Sequence, residues 1–227
     1  VSERQPLVLP KQFTVTNDYV QLEVEFPLKV ISSAVHNAGM GWYNNFLNRS
    51  ISPDYNIENV KEETVQFLLE RGFSLTNTVV MLTAVEANLV AIRSFHHERF
   101  SITIAVTAGV GNAVDVTRTY ERQEIPYIGT INTWVIVNGK LSDEAFYQAM
   151  ITATEAKTKA LAEEEIRDVQ TNTIATGTAT DSLLIAATQH GEEMPYAGPI
   201  TDVGKLIGHG VFETTVEAIR KYKQSKN

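Results

Sequence analysis

The chain has no cysteine among its 227 residues, which excludes disulfides, thiolate zinc sites, iron–sulfur clusters and a cysteine nucleophile together. It also lacks positive charge in excess. Its 19 basic residues against 27 acidic ones leave a formal charge of −8, whereas a general nucleic-acid binder needs a basic face from which counterions are released. No apolar run approaches the ~20 residues that cross a bilayer, and residues 1–13 carry no apolar signal core. A cytoplasmic protein is therefore expected, with neither membrane nor nucleic acid among its partners. With no internal repeat, low-complexity tract or linker, residues 1–227 are expected to form a single domain. The 43% apolar and 20% charged content is that of an ordinary globular chain.

Strand and helix patterns alternate irregularly along the chain. Tyr19 to Phe26 sets Leu22, Val24 and Phe26 against Gln21, Glu23 and Glu25, the period of a half-buried strand, which Pro27 interrupts. After Ser32-Ser33, the glycines Gly39 and Gly41 and the amides Asn44, Asn45 and Asn48 read as an irregular loop. That loop carries Trp42, Tyr43 and Phe46, which either fold back on the core or face a ligand. Glu58 to Arg71 reads as a helix closed by Gly72. Thr78 to Val85, Leu89 to Phe95 and Phe100 to Ala108 read as strands, the first two joined by a hairpin turn at Glu86-Ala87-Asn88. The third is almost continuously apolar and so central. Thr130 to Val137 is a further buried strand. A helix capped by Ser142 follows to about Arg167, with Ala145, Ala149, Ala153, Ala156 and Ala160 in one stripe. Ser182 to Thr188 and Asp202 to about Lys223 supply a last strand and helix. The expected fold is α/β, a single layered domain with a mixed β-sheet packed against helices.

Small hydroxyl and amide residues interleaved with glycine flank the most apolar elements, and such edges usually bind something. Ala175-Thr-Gly-Thr-Ala-Thr-Asp181 would, if extended, put Thr176, Thr178 and Thr180 on one face; alternatively Asp181 caps neighbouring N–H groups. Lys157 borders the buried side of its helix, where a lysine either snorkels or finds an acid. Glu155 is either a solvated partner of Lys159 or, if the helix is covered on both faces, an interior carboxylate suited to proton transfer.

Other motifs fail on spacing. Gly109-Val-Gly-Asn-Ala-Val114 has Val114 where a dinucleotide loop wants its third glycine, and Gly198 to Lys205 departs from a P-loop in both spacing and hydroxyl. His96 and His97 are adjacent, so on a strand they point to opposite faces, and no third ligand stands at metal spacing. No metal site is expected. There is no Gly-x-Ser-x-Gly elbow.

Taken together, Ser32-Ser33, Thr107-Ala-Gly-Val-Gly-Asn-Ala-Val114, Gly129-Thr-Ile-Asn-Thr133, Val137-Asn-Gly139, Ile151-Thr-Ala-Thr-Glu-Ala-Lys157, Ala175 to Asp181, and Tyr196-Ala-Gly198 leading into Gly204 to Gly208 resemble the adenosylcobinamide amidohydrolase family of corrinoid salvage. They occur in the family's order over residues 28–215. One departure is the loop after Ser33, which carries His36, Asn37, Trp42 and Tyr43 in place of a glycine-rich stretch. The resemblance implies hydrolysis of the amide between the aminopropanol arm and the corrin ring, giving adenosylcobyric acid. It implies a corrinoid substrate that brings its own cobalt, and no further cofactor. A homo-oligomer is compatible with it.

Within the matching stretches, Ser33, Thr107, Gly109, Asn112, Asn132, Thr133, Thr176, Gly177 and Thr180 are the candidate substrate contacts, joined by His36 from the departing loop. Glu155, Asp181, Lys157 and Thr178 are the candidate catalytic groups. Two designs follow. In one, Glu155 or Asp181 activates water, Lys157 or a threonine steadies charge, and backbone N–H groups near Gly177 or Gly109 receive the oxyanion. In the other, Thr178 attacks and a carboxylate takes its proton. The first is preferred because no histidine partner for a threonine is evident. Either requires the loops at Thr107, Asn132 and Thr178 and the flank of the Ser142 helix to share one concavity. Rival readings are a non-catalytic corrinoid-binding module and a self-processing amidase of the N-terminal-nucleophile kind.

Overall fold

The structure is a computed structural model that describes residues 7–52, 58–120, 122 and 129–226; the outer ends of the expected 1–227 domain lie outside the described residues. Its strands, in chain order, are β1 (Phe13–Val15), β2 (Tyr19–Ser32), β3 (Gly39–Ser50), β4 (Thr78–Thr83), β5 (Ala91–His96), β6 (Ser101–Ala108), β7 (Ala113–Val114), β8 (Ile131–Asn138), β9 (Lys140–Leu141), β10 (Gly177–Thr178), β11 (Ser182–Ala187) and β12 (Glu193–Met194). The helices are α1 (Val60–Glu70), α2 (Asp143–Glu163) and α3 (Asp202–Ser225). No described helix is long and apolar enough to cross a membrane.

One mixed sheet runs in the order β4-β3-β2-β11-β8-β6-β5, with β1 beside β2. β3–β4 and β11–β8 pair in parallel and the remaining neighbours antiparallel. The sheet coils on itself. Although β4 and β8 are far apart in strand order, the Trp134 indole N–H reaches the Met81 sulfur at 3.2 Å and Asn132 donates to the Leu82 carbonyl at 2.8 Å. Two stacked halves result. Between them lie Leu22, Leu28, Phe46, Met81, Trp134, Ile136 and Leu184. Helices α2 and α3 cover the outer side of the β11–β8–β6–β5 half, enclosing Ile102, Ile104, Val135, Phe146, Ile185 and Ile207. Helix α1 covers the other half through Phe67 and Leu68 against Leu47 and Val80. Being covered on both faces, β6 buries all eight of its residues, which is why its sequence does not alternate.

The interruption at Pro27 is an irregularity inside one continuous strand: the register of β2 against β3 shifts between Glu23 and Leu28, and a bulge is where a residue without an N–H fits a sheet. Two expectations are corrected. The segment read as a loop after Ser33 is mostly β3. Its amides are at home in a strand because Asn45 and Asn48 are buried and bonded to Thr78 and Thr107. Phe46 is core and Trp42 is exposed. Finally, Glu86-Ala87-Asn88 closes no hairpin, since β4 and β5 are the two opposite edges of the sheet.

The Ser142 cap holds as expected, its hydroxyl accepting from the Ala145 N–H at 3.1 Å. Ala145, Ala149, Ala153 and Ala160 are buried against the sheet, so the helix axis lies close to β8 and β11.

Candidate active site

Parallel strands β8 and β11 begin side by side, and the end of antiparallel β2 lies next to them. Above this corner passes the flank of α2 that carries Met150, Ala153, Thr154 and Lys157, which share one side of the helix by spacing. Together with Ser33, Ile131, Thr133, Asp181, Ser182 and Leu183 these residues line a pocket of about 210 Å³.

Lys157 and Asp181 form an ion pair on its wall, Nζ to Oδ2, with side chains 14% and 18% exposed. Asp181 is held from behind as well. The Thr178 hydroxyl donates to Oδ1, the Thr178 N–H to Oδ2 at 3.2 Å and the Ile131 N–H to Oδ1 at 3.0 Å. Asp181 is thus both a cap for neighbouring N–H groups and the acid that Lys157 needs. Gly177 is required beneath the pair, because a Cβ there would lie 2.5 Å from Asp181 Oδ2 and 2.9 Å from Lys157 Nζ. Removing either charge would strand the other in a site mostly closed to water, at a cost of roughly 1–3 kcal/mol.

The support for Thr178 is a two-residue ladder, β10 on β7, which pairs Thr178 with Ala113 and Gly177 with Val114. That ladder is anchored by a buried acid absent from the sequence reading. The Asp168 carboxylate accepts from the N–H groups of Asp115, Gln170 and Thr171 and from Arg122, at 2.7–3.2 Å. Burial pushes its pKa up, but these donors and the guanidinium outweigh burial and hold it below the ordinary aspartate value. Asp115 is lowered too, by the hydroxyls of Thr173 and Thr117. Asp168 follows the end of α2 and precedes Val-Gln-Thr-Asn, the setting of a side chain that caps its own turn.

The other candidates separate. Ser33 and Thr133 line the pocket. Asn132, one residue before Thr133, points between the sheet halves and donates to Asn48 at 2.7 Å, while Thr107 accepts from Asn48 at 2.8 Å. Both belong to that buried polar cluster, so the expected single concavity does not include them. His36 binds the Leu75 carbonyl at 2.9 Å and bridges to Val80, beside β4. The Gly109 N–H is occupied by the Thr130 carbonyl at 2.9 Å and is not free for an oxyanion. Asn112 is buried beneath Gly129.

Nor do the three threonine hydroxyls share a face. Thr176 donates to the Val114 carbonyl at 3.3 Å and accepts from Val116, Thr178 turns to Asp181, and Thr180 donates to the Gly129 carbonyl at 3.0 Å. None of them, nor Gly177, lines the pocket. Glu155 is exposed, because only one face of α2 meets the sheet; it is not an interior carboxylate. A hollow of about 380 Å³ lies at the opposite end of the sheet, bordered by Arg99, but Glu192 and Asp202 already neutralise that arginine.

The profile of the adenosylcobinamide amidohydrolase family matches residues 7–227. The chain belongs to the adenosylcobinamide amidohydrolase family. As such it is a hydrolase of amide bonds, and its Lys157–Asp181 pocket is the family-matched chain's candidate active site. A Methanosarcina mazei protein named adenosylcobinamide amidohydrolase is 31% identical over 175 residues, 75% of this chain and 78% of that protein. An uncharacterized protein of Methanocaldococcus jannaschii is 29% identical over 188 residues, 75% of this chain and 73% of its own length. Among solved structures, an L-aminopeptidase D-Ala-esterase/amidase from Ochrobactrum anthropi aligns over 92% of this chain and 82% of its own, at 10% identity and a TM-score of 0.47.

Proposed function

We propose that this chain hydrolyses the amide joining the aminopropanol arm of adenosylcobinamide to its corrin ring, releasing aminopropanol and adenosylcobyric acid in corrinoid salvage. The observation that carries this reading is the Lys157–Asp181 pair on the pocket wall of a chain from an amide-hydrolase family. As the Lys157 ammonium turns from Asp181 Oδ2 to offset the negative charge developing on the amide oxygen, the freed Oδ2 takes a proton from a water in the pocket, and the water oxygen bonds the amide carbon. The proton then passes to the departing nitrogen. The C–N bond breaks, and a carboxylic acid and a free amine result. Thr178, behind Asp181 and outside the lining, positions the carboxylate. The cobalt arrives within the substrate, and the proposed reaction calls for no cofactor.

The pocket's 210 Å³ or so is less than the roughly 300–1,000 Å³ that encloses a drug-sized ligand. It therefore receives the arm, and the ring lies at its mouth. Apolar surface is available there. Lys29 reaches Asp143 of α2, so its cross-strand partner Trp42 stands on the helix side of the sheet, and Met40, opposite Ile31, does likewise. Both are exposed, as are Tyr147 and Ile151, one turn apart on α2.

The test is incubation of the purified protein with adenosylcobinamide, followed by mass analysis for free aminopropanol. Release supports the reading; unchanged adenosylcobinamide bound to the protein marks a binding module instead. A single 25.2 kDa band on a denaturing gel disfavours self-processing. A trapped acyl-threonine would replace water with Thr178 as nucleophile.

A further inference from the structure

Thr133 lines the pocket, is only 2% exposed, and its buried hydroxyl has no hydrogen-bond partner among the described residues. Its neighbours in β8 are almost all apolar, and valine has the same shape as threonine, so a hydroxyl here carries a desolvation cost that valine would avoid. Buried polar atoms are normally paired, and one left unpaired on a pocket-lining residue marks the place of an atom that the protein itself does not supply.

The strand fixes where that atom lies. Ile131, two residues earlier and on the same face, donates its N–H to Asp181. Thr133 is therefore about 6.6 Å farther along the strand. A water bonded to the carboxylate at about 2.7 Å, followed by a near-attack approach of about 3–3.5 Å to a carbonyl carbon, spans about the same interval. A substrate held along that path would have its carbonyl oxygen beside Thr133. Two backbone N–H groups expected near the oxyanion are already used, Gly109 by Thr130 and Thr178 by Asp181.

We infer that the Thr133 hydroxyl donates a hydrogen bond to the oxygen of the scissile amide, and that this bond strengthens as the oxygen gains charge on attack by water. It works from the side opposite Asp181 and acts on the substrate directly. The inference rests on the amidohydrolase reading above.

The experiment compares wild type, Thr133→Val and Thr133→Ser for turnover of adenosylcobinamide and for thermal stability. In Thr133→Val, kcat should fall about 10²–10³-fold, as when one oxyanion donor is removed. KM should stay within about threefold, and the melting temperature should be unchanged or raised by about 2–4 °C. Thr133→Ser should recover most of kcat. A valine variant with kcat within threefold of wild type overturns the inference, as does one whose melting temperature falls together with its activity, which would reveal a structural hydroxyl. If wild type itself releases no aminopropanol, the substrate reading has failed, and this inference with it; an active wild type beside an equally active valine variant removes this inference alone.

Discussion

Lys157 on α2 and Asp181 at the head of β11, 24 positions apart in sequence, meet directly above the bare Cα of Gly177. The α-carbon substituent excluded at Gly177 is what lets a helix-borne ammonium reach a strand-borne carboxylate. The same contact makes the site sensitive to three residues rather than two.

Lys157→Met should lower kcat on adenosylcobinamide at least about a hundredfold, since the charge that offsets the oxyanion is lost. It also leaves Asp181 without its cation, so a fall in melting temperature of several degrees is expected beside the rate loss. Steady-state kinetics and thermal denaturation on the same preparation check both.

Gly177→Ala places a methyl group 2.5 Å from Asp181 Oδ2 and 2.9 Å from Lys157 Nζ. The pair must shift, and turnover should drop at least about tenfold although no charged group has changed. A wild-type rate in this variant would show that the contact of the pair is not required.

Glu155→Gln should turn over within about twofold of wild type. The side chain is exposed and lies outside the pocket lining, where substitutions are near neutral. A hundredfold loss would restore Glu155 to the chemistry and displace Asp181 as the sole carboxylate.

Much of α2 was legible in the sequence because its determinants are local: the Ser142 cap, the acids of its first turn and the alanine stripe need no knowledge of the rest of the fold. Lys157 was legible for the same reason, as a cation bordering a buried face. Strand β3 was not, because Asn45 and Asn48 look like loop residues until the coiled sheet supplies Thr78, Thr107 and Asn132 as partners. The site was half legible. A polar residue at a strand end signals an edge but not which face it serves, and the two-residue period of β8 sends Thr133 into the pocket and Asn132 away from it. Asp168 escaped notice because two of its four donors, Asp115 and Arg122, are brought to it only by folding.

Acid should loosen the support of the site. The folded pKa of Asp168 lies below its unfolded value of about 3.8, so its contribution to stability is complete above about pH 4 and is lost as pH falls through the lower, folded value. Asp115 and Glu164, also lowered, add in the same direction. Asp168→Asn should cost about 3 kcal/mol at pH 7, where it strands Arg122, and the gap from wild type should narrow as pH is brought below 4. Denaturant titrations of both proteins from pH 7 to pH 3 measure it.

Trp42 reports on the ring if the ring lies at the pocket mouth. Trp42 is 55% exposed and Trp134 is 2% exposed, so quenching by added adenosylcobinamide should disappear in Trp42→Phe. Trp42→Ala should raise KM about 5–10-fold with kcat little changed, as expected when binding common to ground and transition states is removed.

The central claim is that Asp181 delivers water to the arm amide of adenosylcobinamide. Its most direct measurement is the yield of aminopropanol and adenosylcobyric acid, by mass spectrometry, from wild type and Asp181→Asn under equal conditions. Stoichiometric release by wild type and a rate at least about a hundredfold lower in the variant, with its fold retained, is the expected result. Equal rates from the two proteins, or intact adenosylcobinamide after incubation with wild type, would contradict it.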